Sequence, residues 1–188
     1  MQRSTPLGDA NDAFEHLGID NLSESLVNGI WNHVLSQLFP FPDFLILPEH
    51  WTDSRRPGGS RVDLVVYRMR DMGPVFVYEG KGDVEDLSLK EPSQALDVII
   101  SAGLQKNLAQ IQRYLRTLRR SQGESSFGVL AQGTQFIIMK YDAGQYWRVR
   151  ETSLLGDEQV NVFHDFASDR FDRKTADSVL GEIARRLK

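Results

Sequence analysis

Three ionisable residues at the ends of two neighbouring apolar runs have the types and spacing for divalent-metal chemistry. Asp63 lies near the start of the run RVDLVVYR, and Glu79 and Lys81 lie at the end of the run PVFVYEGK. Strand side chains alternate between two faces, so Glu79 and Lys81 share one face of the second strand. If the two strands pair as a hairpin, Asp63 lies close to the same end. We therefore expect all three groups to meet at one edge of a sheet.

Two carboxylates beside an ammonium group suit a Mg²⁺ or Mn²⁺ ion. These hard cations prefer oxygen ligands and complete their coordination with water and phosphate oxygens. The carbonyl of Gly80, between Glu79 and Lys81, is a candidate additional ligand. Lys81 is expected either to position or help deprotonate the attacking water, or to stabilise negative charge on the phosphorus. The predicted chemistry is hydrolysis of a phosphodiester.

A turn and a preceding helix are predicted to position these groups. The residues RDMGP at 70–74 favour a turn between the two strands, and apolar residues at helical spacing predict a helix over residues 21–39. Ser23 or Asn21 is the expected N-cap. Glu24 follows in the first turn, where a helix dipole favours a carboxylate, but it can also be a further metal ligand that reaches the site. Both interpretations stay open.

The rest of the chain predicts a mixed α/β fold. Residues 44–47 predict an edge strand or a packed connection, and residues 50–60 predict a loop. Arg55 and Arg56 in that loop can clamp phosphate or simply lie in solvent. The other predicted elements are a helix over 93–120, strands over 127–131, 135–141, 146–149 and 160–163, and a closing amphipathic helix over 172–187.

The long predicted helix carries two polar features. Gln110 and Tyr114 are four residues apart and therefore lie on one face. Arg113, Arg116 and Arg120 form a basic stripe at helical spacing. The stripe either faces solvent or contacts the backbone of a nucleic acid beside a phosphate-cleaving site.

Composition limits the class of protein. The 188 residues are 40% hydrophobic and 26% charged, which predicts one domain with a full core. Residues 1–12 are polar and aperiodic, so we expect a flexible lead-in to a single domain over 13–188. The absence of cysteine excludes a disulfide framework and a thiolate zinc site. No run reaches membrane-spanning length, and a soluble intracellular protein, cytoplasmic or nuclear, is expected.

Other catalytic classes find little support in the chain. The four histidines, His16, His33, His50 and His164, form no spaced ligand pair, which argues against a histidine metal site or a catalytic triad. No glycine-rich phosphate loop lies between a strand and a helix. The net charge of −4 provides no global positive field. Contact with a polyanion therefore requires a local basic patch and the metal.

The order of these features resembles the PD-(D/E)xK nuclease superfamily, which has the restriction-endonuclease-like fold. The shared features are a helix with an acidic residue, an Asp in one strand and Glu-x-Lys in the next. The segment from Gln110 to Tyr114 resembles the QxxxY motif of the RecB-like branch. The resemblance covers roughly residues 24–114. One departure is Val62, which precedes Asp63 where the family pattern has proline.

The resemblance implies a role for each matched residue. It makes Asp63 and Glu79 metal ligands and Lys81 the catalytic lysine. It also makes Glu24 the acid of the first helix. Gln110 and Tyr114 become substrate-binding or site-organising contacts. The implied function is a metal-dependent nuclease, with DNA favoured over RNA. The alternative is an inactive nuclease-fold protein that binds nucleic acid or protein, and both a protein partner and a homo-oligomer remain open.

Overall fold

The computed structural model describes nine segments of the chain: residues 5–18, 22–51, 61–82, 107–118, 125–142, 144–149, 156–157, 164–166 and 172–188. The predicted loop over residues 50–60 is wrong at its start, because residues 50 and 51 belong to a strand and pair with Val62 and Arg61. The rest of that loop with Arg55 and Arg56, the start of the long helix, Arg120 and the predicted strand at 160–163 lie outside the described segments. The helices are α1 (Pro6–Leu17), α2 (Glu24–Leu38), α3 (107–118) and α4 (Arg173–Leu187). The strands are β1 (Phe44–Trp51), β2 (Arg61–Arg68), β3 (Gly73–Lys81), β4 (Ser126–Gln132), β5 (Gln135–Asp142), β6 (Gln145–Val149), β7 (Gly156–Asp157) and β8 (His164–Asp165).

The strands form one mixed sheet in the order β1-β2-β3-β4-β5-β6-β7, with β8 paired to β5. All pairs are antiparallel except β3 with β4, which are parallel. A parallel pair requires a crossover connection, and α3 lies within the chain that joins β3 to β4. The prediction of an α/β fold with a mixed sheet and flanking helices is confirmed.

Two apolar layers cover the two faces of the sheet. Side chains from α1, α2 and α4 pack on one face, where Trp31 and Phe136 are fully buried. Side chains from α3 pack on the other face against Val65 and Val77. Gly128 in β4 permits the close approach of α3, because a Cβ there would lie 2.7 Å from Val77 O and 3.2 Å from Leu115 Cδ2. The helices thus hold the central strands from both sides.

The expected lead-in over residues 1–12 is wrong where the structure describes it. Residues from Pro6 onwards form α1, and its N-cap Thr5 accepts a hydrogen bond from the amide of Gly8 over 3.2 Å. Leu7 and Phe14 are buried against the main core. Pro6 in the first turn and apolar residues at helical spacing form this amphipathic helix within a largely polar segment. Residues 1–4 lie outside the described segments.

The predicted α2 is confirmed, including its cap. Ser23 Oγ accepts a hydrogen bond from the amide of Leu26 over 3.3 Å. The buried face contains Val27 and Trp31, whereas Leu26, which fits the apolar spacing, is 42% exposed. The predicted edge strand, the β4–β6 meander and α4 are also present. No helix in the described part of the chain is long and apolar enough to span a bilayer.

Candidate active site

The pairing of β2 with β3 places Asp63 beside the end of β3. Leu64 is the register partner of Tyr78. The carboxylate of Asp63 therefore lies near the last residues of β3, and its Oδ2 accepts a hydrogen bond from the amide of Gly80 over 2.8 Å. This bond fixes the Asp63 carboxylate at the edge of the sheet. The carbonyl of Gly80 remains a predicted ligand.

One oxygen of the buried Glu79 carboxylate accepts hydrogen bonds, and the other has no hydrogen-bond partner. The residue is 1% exposed. Its Oε1 accepts hydrogen bonds from Lys81 Nζ and from Gln110 Nε2, each over 2.6 Å. Its Oε2 is buried and has no hydrogen-bond partner. A buried acceptor without a hydrogen-bond partner costs free energy. Oε2 is therefore the atom of Glu79 at which the binding of a ligand would be most favourable.

Three carboxylates surround the ammonium group of Lys81. Its Nζ lies 2.6 Å from Glu79 Oε1, 3.8 Å from Glu24 Oε1 and 3.9 Å from Asp63 Oδ2. Glu24 belongs to α2, whereas the other two belong to the sheet. With all four groups ionised, the cluster has an excess of negative charge. A bound cation would relieve it.

Burial and the neighbouring charges together shift the pKa values of Glu79 and Lys81. Burial raises the pKa of Glu79 to about 7, and the charge of Asp63 acts in the same direction, although the hydrogen bond from Lys81 opposes it. Burial acts against the charged form of Lys81, but its hydrogen bond to Glu79 and the neighbouring carboxylates outweigh burial and raise its pKa. Lys81 is therefore protonated at neutral pH.

Gln110 and Tyr114 link α3 to the carboxylate of Glu79. Gln110 Nε2 donates to Tyr114 OH over 2.9 Å, and Tyr114 OH donates to the carbonyl oxygen of Arg61 over 2.6 Å. Tyr114 is fully buried. Burial also raises its pKa. The hydroxyl of Tyr114 thus bonds within the protein, and the two expected roles of Tyr114, substrate contact and site organisation, stay predictions.

Two residues that sequence reasoning missed hold α2 against the site. The hydroxyl of Tyr78 donates to Asn28 Oδ1 over 3.0 Å, and Asn28 is one helical turn beyond Glu24. A Cβ on Gly80 would lie 2.0 Å from Asn28 Oδ1. A Cβ on Gly82 would lie 2.8 Å from the amide nitrogen of Glu24. The two glycines of the EGKG segment were the available signal, since they allow the helix and strand to approach closely.

The two described arginines of the basic stripe differ in their contacts. Both are exposed on α3. Arg116 Nε donates to Tyr146 OH over 3.0 Å, and its guanidinium carbon lies 5.8 Å from the centre of the Tyr146 ring. Arg113 lies three residues after Gln110, which is about 4.5 Å along the helix axis. Arg113 is therefore the stripe residue nearer to the carboxylate cluster along α3.

The binding of a divalent cation at this cluster stays a prediction. Among the residues that the structure describes, no group of three or more His, Cys, Asp or Glu side chains is arranged to hold a metal ion. Lys81 lies between the three carboxylates instead. The unpartnered Oε2 of Glu79 and the nearby carboxylate of Asp63 are donors of the type that Mg²⁺ and Mn²⁺ prefer. Water and phosphate oxygens would complete such a site.

Comparison with known proteins supports the fold. No protein-family model matches the chain, and no curated protein matches it. The chain is similar to a solved structure described as "cryoEM structure DrdV-DNA complex", with a TM-score of 0.50 and 11% sequence identity. The match covers 97% of this chain and 13% of the other chain. At this level of identity the likeness concerns the fold, and a restriction-endonuclease-like arrangement is compatible with it.

Proposed function

We propose that the chain is a metal-dependent nuclease that hydrolyses phosphodiester bonds, with DNA as the favoured substrate. The observation that carries the proposal is the convergence of Asp63, Glu79 and Lys81 with Gln110 at one end of the sheet. These residues come from β2, β3 and α3. The similar fold in a structure described as a DNA complex supports the choice of DNA.

Each residue then has a distinct role. Asp63 and Glu79 would hold Mg²⁺ or Mn²⁺, and Glu24 would add negative charge from α2. The cation, when bound, supplies a water of lowered pKa and neutralises the charge of the phosphate. Lys81 keeps its proton and donates to an oxygen of the phosphate, because its carboxylate neighbours favour the ammonium form. Of the roles predicted for Lys81, this supports charge stabilisation.

Gln110 orients the carboxylate of Glu79. Its amide occupies Oε1, so that Oε2 is left for a ligand. Tyr114 holds the amide of Gln110 in this orientation through the bond to the Arg61 carbonyl. A carboxylate held by two donors on one oxygen loses little freedom when the other oxygen binds a ligand. Gln110 and Tyr114 are thus positioning residues in this proposal.

The decisive experiment measures cation binding and cleavage together. Mn²⁺ and Mg²⁺ are titrated calorimetrically into the wild type, Asp63→Asn and Glu79→Gln, and the same proteins are assayed on single- and double-stranded DNA and RNA. Asp142→Asn is the matched control. Asp142 is the last residue of β5, at the end of that strand farther from Lys81, and it pairs with Lys140 over 3.2 Å. We expect both site variants to lose binding and cleavage and the control to retain them.

The outcomes distinguish the nuclease from its alternative. Binding of the cation with cleavage of DNA supports the proposal. Binding of nucleic acid without cation binding or cleavage would favour a non-catalytic nucleic-acid-binding module. Loss of cleavage in Asp142→Asn equal to that in Asp63→Asn would show that the variants disturb the fold rather than the site.

The basic face of α3 provides a separate test of nucleic-acid contact. Replacement of Arg113 and Arg116 by alanine removes two cations that would release counterions from the phosphate backbone. We expect weaker DNA binding and a slope of log affinity against log salt reduced by about 1 to 2. Tyr146→Phe is the control, because it removes the hydroxyl that Arg116 contacts but keeps both charges. An unchanged salt slope in the double variant would remove this face from the binding surface.

A further inference from the structure

Gln132 is a buried polar residue on the same face of the sheet as Glu79 and Lys81. It is 7% exposed, and its Oε1 is buried with no hydrogen-bond partner. It was not among the residues that the sequence singled out. Sequence alone provides no signal for it, because one glutamine near a Gly-Thr turn is ordinary.

The register of the parallel pair places Gln132 beside Lys81. Lys81 is the partner of Gln132, and Glu79 is the partner of Leu130. The amide of Gly133 also donates to the carbonyl oxygen of Lys81 over 3.0 Å. Neighbouring strands lie about 4.8 Å apart, so Gln132 lies one strand away from the carboxylate cluster.

The alternation of each strand shows that these side chains share one face. In β4, Val129 and Ala131 pack in the layer of α1, α2 and α4, whereas Leu130 packs in the layer of α3. Gln132 lies two residues after Leu130 and therefore shares its face. In β3, Val77 packs in the α3 layer, and Glu79 shares its face.

The buried acceptors Glu79 Oε2 and Gln132 Oε1, neither of which has a hydrogen-bond partner, therefore lie on adjacent strands and on one face. Acceptors of this kind require hydrogen-bond donors or a cation. Mg²⁺ keeps several of its waters when it binds to proteins, and each bound water has hydrogens to donate. A hydrated cation supplies both kinds of partner at once.

We propose that Gln132 accepts a hydrogen bond from a water of the hydrated cation that Asp63 and Glu79 hold. This inference rests on the proposed function. It extends the site by one strand, from β3 to β4, and makes Gln132 a positioning residue for the hydration shell of the metal. Glu79 binds the cation directly, and Gln132 is a neutral acceptor for a hydrogen bond from one of the waters bound to the cation.

The test uses two probes and three variants of the full chain. Mn²⁺ is titrated calorimetrically, and so is hexamminecobalt(III), whose ammonia ligands do not exchange and which therefore binds only through its outer hydrogens. Gln132→Leu removes the acceptor, and Gln132→Glu retains it. Gln135→Leu makes the same chemical change one strand farther from Lys81, because Gln135 is the register partner of Gln132 in β5.

We expect Gln132→Leu to weaken the binding of both probes about tenfold, as outer-shell substitutions commonly do. Gln132→Glu should bind both at least as tightly as the wild type, and Gln135→Leu should change either by less than about twofold. The melting temperature of Gln132→Leu should equal or exceed that of the wild type, because an unpartnered buried acceptor is replaced by an apolar side chain.

The possible failures are distinguishable. If the wild type binds Mn²⁺ and Gln132→Leu binds it equally well, the role of Gln132 is overturned and the proposed function stays intact. Weaker Mn²⁺ binding with unchanged hexamminecobalt(III) binding would overturn the outer-shell contact. A loss of affinity that parallels a loss of melting temperature, or that is equal in Gln135→Leu, would also overturn it. No binding of Mn²⁺ by the wild type would overturn both proposals.

Discussion

Replacement of Glu79 by glutamine should change how the stability of the metal-free protein depends on pH. The carboxylate is almost completely buried, and burial raises its pKa to about 7. In the unfolded chain the same group has an ordinary pKa. The folded state therefore binds a proton more tightly than the unfolded state, and stability that Glu79 contributes at low pH is lost as the pH rises.

The magnitude follows from the two pKa values. The folded value of about 7 exceeds the ordinary value of 4.5 by about 2.5 pH units. At about 1.4 kcal/mol per unit, this gap corresponds to ~3 kcal/mol of unfolding free energy. Most of this loss falls between pH 5 and pH 7, and it is nearly complete by about pH 8. Lys81 titrates above this window, because its pKa is raised from 10.5.

The assay is urea denaturation at several pH values from 5 to 8 in the presence of a chelator. The measured quantity is the unfolding free energy of Glu79→Gln minus that of the wild type. We expect this difference to rise in favour of the variant by about 2 to 3 kcal/mol across the window. The absolute difference at any one pH also includes the lost ion pair with Lys81, so the change with pH is the quantity that decides.

Glu182→Gln is the matched control. Its hydrogen bonds from Arg185 and Arg186 lower the pKa of Glu182 to about 2. The stability that Glu182 contributes is present above its unfolded pKa and is lost only as the pH falls towards 2. The unfolding free energy of Glu182→Gln should therefore change with pH in parallel with that of the wild type between pH 5 and 8. A flat difference for Glu79→Gln, or one that falls with rising pH, would refute the burial-raised pKa of Glu79.

Three further substitutions test how the site is assembled. Gly82→Ala should lower the unfolding free energy by about 1 to 3 kcal/mol, because its Cβ would meet the backbone nitrogen of Glu24 at 2.8 Å. Gly181→Ala, where a Cβ meets nothing within 4 Å on α4, should instead stabilise by about 1 kcal/mol, so equal effects in urea denaturation would contradict the reasoning. Tyr114→Phe should cost about 1 to 2 kcal/mol and weaken calorimetric Mn²⁺ binding, because Gln110 loses one of its two acceptors and the Arg61 carbonyl loses its donor; unchanged values for both would exclude the positioning role.

The sequence by itself determined the local elements of the central sheet and of two flanking helices. Alternation over residues 61–81 predicted a hairpin with Glu79 and Lys81 on one face, and the structure has this hairpin. Helical spacing likewise predicted α2 and α4. The period of a strand or helix is a property of neighbouring residues along the chain, so it can be read without knowledge of the fold.

Only the tertiary structure decided which distant groups meet. The approach of Glu24 to Lys81 depends on the docking of α2, which the Tyr78–Asn28 hydrogen bond and two glycines allow. The position of Gln132 depends on the parallel register of β3 and β4, strands separated by a long crossover. Local periodicity contains no information on such registers, because packing between elements selects them. The helix α1 was missed for a related reason: its apolar face is short, and its burial depends on contacts with α2 and α4.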